Sequence, residues 1–112
     1  MRPDDRIRIL HMMEAIEAVG DFINGRNRGD LDNDRQLLFA VVRAIEIAGE
    51  AAARISPERR ALAPDVPWQS IVSMRNRLIH GYFDVDRGIV WKTAREELPA
   101  LLPALRALIE KG

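Results

Sequence analysis

Apolar side chains recur along this chain at steps of three and four residues, and no stretch alternates long enough to make a β-strand. That period gives each segment one greasy stripe, which only helices packed stripe against stripe can bury. Ile9, Met12, Met13, Ile16, Val19 and Ile23 set the stripe of a first helix over residues 4–24, with Glu14, Glu17 and Asp21 on its wet side. A second apolar line through Ile7, Ala15, Ala18 and Phe22 gives this helix another greasy face, which predicts contact with something beyond its own core.

Residues 24–30 are a turn by composition. Asp32 and Asn33 are both good N-caps for a second helix reaching to about residue 55. Its stripe is Leu38, Val41, Val42, Ile45, Ala48, Ala52 and Ile55. Glycine costs a helix interior about 1 kcal/mol relative to alanine, so Gly49 predicts a close helix approach. Ser56-Pro57 ends this helix or restarts it as a short turn through Leu62.

Pro67 suits the first turn of a third helix, which carries Trp68, Ile71, Val72, Met74, Leu78 and Ile79 and is expected to stop at Gly81. A fourth runs from near Asp86 through Trp91 to Glu97, with a kink or fresh start near Pro99. Leu101, Leu102, Leu105, Leu108 and Ile109 then keep helical spacing. The expected fold is all-α: an antiparallel up-and-down bundle of four main helices plus a short C-terminal helix or kinked extension. A chain of 112 residues makes one such domain, spanning 1–112.

Composition narrows the chemistry. There is no cysteine, which removes disulfides, thiolate metal sites and cysteine nucleophiles. The two histidines fall in different helices without a carboxylate cluster, so no metal site is expected. No apolar run approaches the roughly 18 residues that cross a bilayer, and a cytoplasmic protein is expected. Seventeen basic and seventeen acidic residues cancel, so any attraction for nucleic acid must be local. Residues 74–92 carry Arg75, Arg77, Arg87 and Lys92 against Asp84 and Asp86, four cations against two anions and a net of +2.

The chemically richest stretch is Arg75-Asn76-Arg77-Leu78-Ile79-His80-Gly81-Tyr82. On an ideal helix Arg75 and His80 stand about 140° apart, whereas Asn76 and His80 share a face. A helix ending at Gly81 would let His80 swing from the last turn, and a second copy of the motif could complete a site. Histidine can move protons near neutral pH, and arginine offers a forked permanent charge to phosphate oxygens. The same histidine also reads as a plain cap on the last helical carbonyls. Glu46 and Glu50, one turn apart, could serve a site, but the expected explanation is ion pairing with Arg43 and Arg54 at helical spacing. Trp68 and Trp91 read as core and His11 as packing or surface.

This stretch resembles the R-x4-H-x-Y signature of the HepT-like HEPN ribonuclease toxins. The similarity extends to residues 10–15, to residues 43–52, to Pro67-Trp68 and to Val90-Trp91, in that order along the chain. The resemblance implies a HEPN helical bundle that dimerises so that two motifs line one cleft, and that cuts RNA without a metal or other cofactor. Arg75 and His80 would be catalytic with Asn76 in support, and Arg77 and Arg87 would bind RNA. It further implies the toxin half of a type VII-like toxin–antitoxin pair. The partner would be an MNT-type nucleotidyltransferase antitoxin, in a complex larger than the homodimer, that transfers AMP to Tyr82, the one tyrosine of the chain. Some helical relatives act instead as non-catalytic docking partners of nucleotidyltransferases, but a docking module has no need of Arg75 and His80 together. A DNA-binding regulator would want a dense basic helix face, which is missing.

Overall fold

The computed structural model describes residues 1–78 and 84–111. The fold is all-α, and no β-strand occurs among the described residues. Eight α-helices are described: α1 (Pro3–Ile23), α2 (Asp30–Asn33), α3 (Arg35–Ala53), α4 (Pro57–Arg60), α5 (Trp68–Val72), α6 (Met74–Leu78), α7 (Arg87–Lys92) and α8 (Leu102–Glu110). One π turn (Thr93–Glu97) and one 3-10 turn (Pro99–Leu101) join α7 to α8.

The long helices α1 and α3 share the most extensive packing and run in opposite directions, since Asp5 near the start of α1 meets Ser56 just beyond α3. Ile9, Met12, Ile16, Val19 and Ile23 of α1 are all buried against Leu38, Val41, Ile45, Ala48 and Ala52 of α3. The spacing along both helices thus predicts the core correctly. Helices α5 and α6 lie on α3, the π turn and α8 on α1, and all contribute to one contiguous apolar cluster. Trp68 and Trp91 pack at its edge, half-buried rather than wholly inside. Of the second apolar line of α1, Ile7 and Phe22 are exposed and Ala18 half-buried, whereas Ala15 belongs to the core; Leu10 is exposed as well.

Several boundaries differ from the sequence expectation for identifiable reasons. Gly25 takes a left-handed φ of 73° in the turn after α1, a conformation that favours glycine. Residues 30–33 form their own short helix, so the cap of α3 is Asp34 and not Asp32 or Asn33. Asp34 accepts from Leu37 N at 3.1 Å and from Arg26 Nη2 at 2.8 Å, and Arg26 also reaches Asp30 at 3.2 Å. The third helix is interrupted at Ser73: the Gln69 carbonyl accepts from both the Ser73 amide at 3.1 Å and its hydroxyl at 2.7 Å, and the next turn tightens, with Asn76 N on the Ser73 carbonyl. The predicted stop at Gly81 lies outside the described residues. The restart near Pro99 is the 3-10 turn, as expected for a residue without an N–H donor.

Both ends of the chain are tied to the segment around α4. Asp5, 4 % exposed, accepts from the Ser56 amide at 2.8 Å and from the Ser56 hydroxyl at 2.6 Å. From the other side Arg59 donates to the Leu108 carbonyl at 3.4 Å, and Lys111 to the Leu62 carbonyl at 2.9 Å. Burial pushes the Asp5 carboxyl up, but the two hydrogen bonds from Ser56, helped by Arg2 and Arg59, outweigh it and hold the group below its ordinary value. A depressed carboxylate stabilises the fold above its unfolded pKa, and that contribution is lost as pH falls through the lower folded value. Ser56→Ala removes one donor to Asp5 and the cap that accepts from Arg59 N. It is expected to cost about 1–3 kcal/mol at neutral pH, read by urea unfolding. The deficit should shrink below about pH 4, as Asp5 becomes protonated in the unfolded and then the folded chain. A deficit independent of pH would mean that the carboxylate plays no part in it.

Candidate active site

Helix α6 is only five residues long, and its geometry decides which way the motif faces. Met74 and Leu78, one turn apart, are buried, so Arg75 and Asn76 are left outward. The start of α6 is fixed by Asn76 N donating to the Ser73 carbonyl at 3.0 Å. Beneath it Gly49 lets α3 approach: a β-carbon added there would lie 2.9 Å from the Ile71 carbonyl oxygen. The close approach expected of this glycine is thus present.

Arg75 Nε lies 3.1 Å from Glu46 Oε2 of α3. The two partners differ sharply, Glu46 being 18 % exposed at its side chain and Arg75 72 %. The carboxylate therefore serves as a fixed post that aims a solvent-facing guanidinium. A pair this exposed adds little stability. Its effect is positional. The expectation that Glu46 pairs within its own helix fails: Arg43 reaches Glu50 at 3.1 Å instead, and Glu46 points to α6. A shallow hollow of about 240 Å³ opens beside the pair, lined by Gly49, Val72 and Met74 among others.

The remaining predicted residues do not all gather around Arg75. Arg77 turns the other way, with Nη2 3.7 Å from Glu97. The π turn makes this possible: Leu98 N bonds the Thr93 carbonyl at 2.9 Å, and the widened coil brings Glu97 round to α6. Thr93, fully buried, donates to Glu97 Oε1 at 3.1 Å and rests 3.7 Å from Met74 Sδ. Arg87 opens α7, where Asp86 caps by accepting from Ile89 N at 3.0 Å. Its Nε lies 3.4 Å from Asp32, which Arg28 also approaches at 3.8 Å. His80 and Tyr82 lie outside the described residues. His11 is exposed in a groove of about 460 Å³ between α1 and α3, with Phe22, Arg43 and Ile47. Among the described residues no group of three His, Cys, Asp or Glu side chains gathers as metal ligands would. Nor is any described helix long and apolar enough to cross a membrane.

An all-helical chain that mounts the arginine of an R-x4-H run on a half-buried carboxylate, facing solvent, has the makings of an anion-handling site. The chain belongs to the ribonuclease HepT-like family, whose profile matches residues 12–108. It is 42 % identical over 88 residues to "Probable ribonuclease HepT" of Thermococcus cleftensis, covering 79 % of this chain and 80 % of that one. A "Putative RNase" of Methanocaldococcus jannaschii is 34 % identical over 98 residues, 88 % of this chain and 90 % of that protein. A second protein of that organism, "Gamma-glutamylcyclotransferase and putative RNase", is 32 % identical over 111 residues, and the chain spans half of its length. No solved structure matches.

Proposed function

We propose that this chain is a metal-independent endoribonuclease with Arg75 and His80 at its centre. The observation that carries this reading is the exposed Arg75 guanidinium, held by Glu46 five residues before His80, within the span matched to a ribonuclease family. In the reaction the 2′-oxygen of one nucleotide bonds to the adjacent phosphorus and the bond to the 5′-oxygen breaks. The products are a 2′,3′-cyclic phosphate and a 5′-hydroxyl. A base takes the 2′-hydroxyl proton and an acid gives a proton to the leaving 5′-oxygen, roles that imidazole fills in its two protonation states. Arg75 balances the charge that builds on the phosphorane oxygens. Asn76 orients His80 or the substrate, while Arg77 and Arg87 meet the RNA backbone.

One motif histidine per chain leaves one proton role open, and a homodimer that brings two motifs together fills it. The exposed apolar residues Ile7, Leu10 and Phe22 on α1 and Ile47 on α3 support such pairing. The chain then acts as the toxin of a two-component system. Its partner, a nucleotidyltransferase antitoxin, silences it by transferring AMP from ATP to the Tyr82 hydroxyl with release of pyrophosphate, which adds a phosphate two residues from His80 and so repels RNA.

The test is RNA cleavage by the chain expressed without an antitoxin, its mass checked for added AMP and its size taken by light scattering. In excess EDTA the sample, running at twice 12.7 kDa, is expected to cut RNA and leave 2′,3′-cyclic ends. A 2′-deoxy nucleotide at the cut site should block it. Silence of the folded, unmodified dimer across varied RNAs would sink the nuclease reading in favour of a docking module. Restoration by a divalent ion would overturn the metal-free step.

A further inference from the structure

Phe39 has no role in the site described so far, yet it is the most exposed large apolar side chain among the described residues, at 60 %. It stands on the first turns of α3 and lines a hollow of about 680 Å³, with Asp32, Asn33, Arg35, Val85 and Arg87 among the other walls. That volume falls in the range of about 300–1,000 Å³ typical of small-ligand sites. An exposed phenyl ring beside two guanidinium groups is the composition of a single-strand platform, where bases stack on aromatics and cations track phosphates.

The position along α3 ties this hollow to Arg75. Phe39 and Glu46 are seven residues apart, about 10.5 Å along the axis and within about 20° around it. They therefore share one side of the helix, and Glu46 is the residue that holds Arg75. A strand with one phosphate at Arg75 reaches the Phe39 hollow within a few nucleotides. The hollow is also joined in sequence to the motif, because Val85 and Arg87 come three and five residues after Tyr82.

Charge favours the same occupant. Asp32 is the one acidic side chain in the wall, and it is already shared by Arg87 at 3.4 Å and Arg28 at 3.8 Å. Arg35 makes no ion pair among the described residues. The Nε of Arg87 is buried and makes no hydrogen bond there, its contact with Asp32 being the longer ion pair. Two cations thus face the hollow against one shared carboxylate. Stacking on Phe39 would also explain how a chain of zero net charge grips RNA, since that contribution needs no positive surface.

We propose that this hollow, framed by α2 and the starts of α3 and α7, takes one nucleotide of the RNA substrate, its base on the Phe39 ring and its phosphate toward Arg35 and Arg87. This assignment rests on the ribonuclease reading and extends it to substrate grip. Its test separates the two. Fluorescence anisotropy with a 5′-fluorescein 2′-O-methyl oligouridylate of about eight residues measures binding without any possible 2′-hydroxyl attack. Phe39→Ala is expected to weaken binding about 5- to 100-fold, the usual range for removing one base–aromatic stack, while Phe39→Tyr keeps it near wild type. Arg35→Ala should weaken binding and flatten its salt dependence by roughly one phosphate's worth. An unchanged affinity in folded Phe39→Ala, with the wild type binding the probe, overturns the assignment whether or not RNA is cut. Phe39-dependent binding by a wild type that cuts no RNA would uphold the hollow and sink only the nuclease reading.

Discussion

Alanine in place of His80 is expected to lower kcat/KM for RNA cleavage by about 10²- to 10⁴-fold, the range that a positioned proton donor or acceptor contributes. Arg75→Ala should cost about 10²- to 10³-fold, comparable to losing one donor aimed at developing transition-state charge. Arg75→Ala should not unfold the protein. Arg75 is largely exposed, and its ion pair with Glu46 contributes little to stability. Arg75→Lys keeps the charge but loses the fork, so it should fall between wild type and alanine. Glu46→Gln tests the post itself: it leaves the guanidinium in place but releases its aim, with a smaller loss. If the two motif residues act on one step, the double variant should be little worse than His80→Ala alone. Full activity in folded His80→Ala, with thermal melts matching wild type, would remove this residue from the chemistry. The work would then have to be sought elsewhere in the chain or in a contaminant.

The second large effect is expected at Gly49. Alanine in a helix interior normally gains about 1 kcal/mol over glycine. Here the added β-carbon would sit 2.9 Å from the Ile71 carbonyl oxygen, and main chain cannot swing aside as a flexible side chain can. Overpacking of this kind costs about 1–3 kcal/mol, so Gly49→Ala should come out destabilised despite its better helix propensity. Gly49→Leu should lose more. The helix pushed away is α5, whose continuation α6 carries Arg75, and Glu46 lies one turn before Gly49 on α3. The alanine variant should therefore lose cleavage activity beyond what its unfolded fraction explains. Chemical denaturation paired with kcat at a temperature where both proteins are folded separates the two losses. A Gly49→Ala protein more stable than wild type would show that the α3–α5 contact yields easily.

The stripes of α1 and α3 were readable from spacing alone because one packed face of a long helix leaves a periodic mark. What spacing could not show was local competition for hydrogen bonds. Ile71, Met74 and Leu78 keep an apolar rhythm straight through Ser73, and the tightened turn there, with Asn76 N on the Ser73 carbonyl, leaves no trace in it. Val90, Ala94 and Leu98 are likewise all buried at four-residue steps, so the extra residue of the π turn is invisible in the pattern. The cap of α3 was one of three acidic or amide residues in a row, and a distant guanidinium, Arg26, favours the third. Glu46 was misread for a related reason. Its neighbours at helical spacing offered ready partners, and nothing local announced that its partner was Arg75 on another helix. The motif residues themselves were legible as chemistry, while the aim of Arg75 depends on this long-range pairing.

The clamp around α4 has a mechanical meaning. Residue 5 and residues 108–111 both hydrogen-bond to the 56–62 segment, so the two ends of the chain are anchored on one small patch. Tension applied between residue 5 and residues 108–111 meets those bonds and the packing of α1 on α8, and not the α3–α6 contact that aims Arg75. A neighbouring domain or a tether attached at either end would pull on the clamp while leaving the guanidinium on its post.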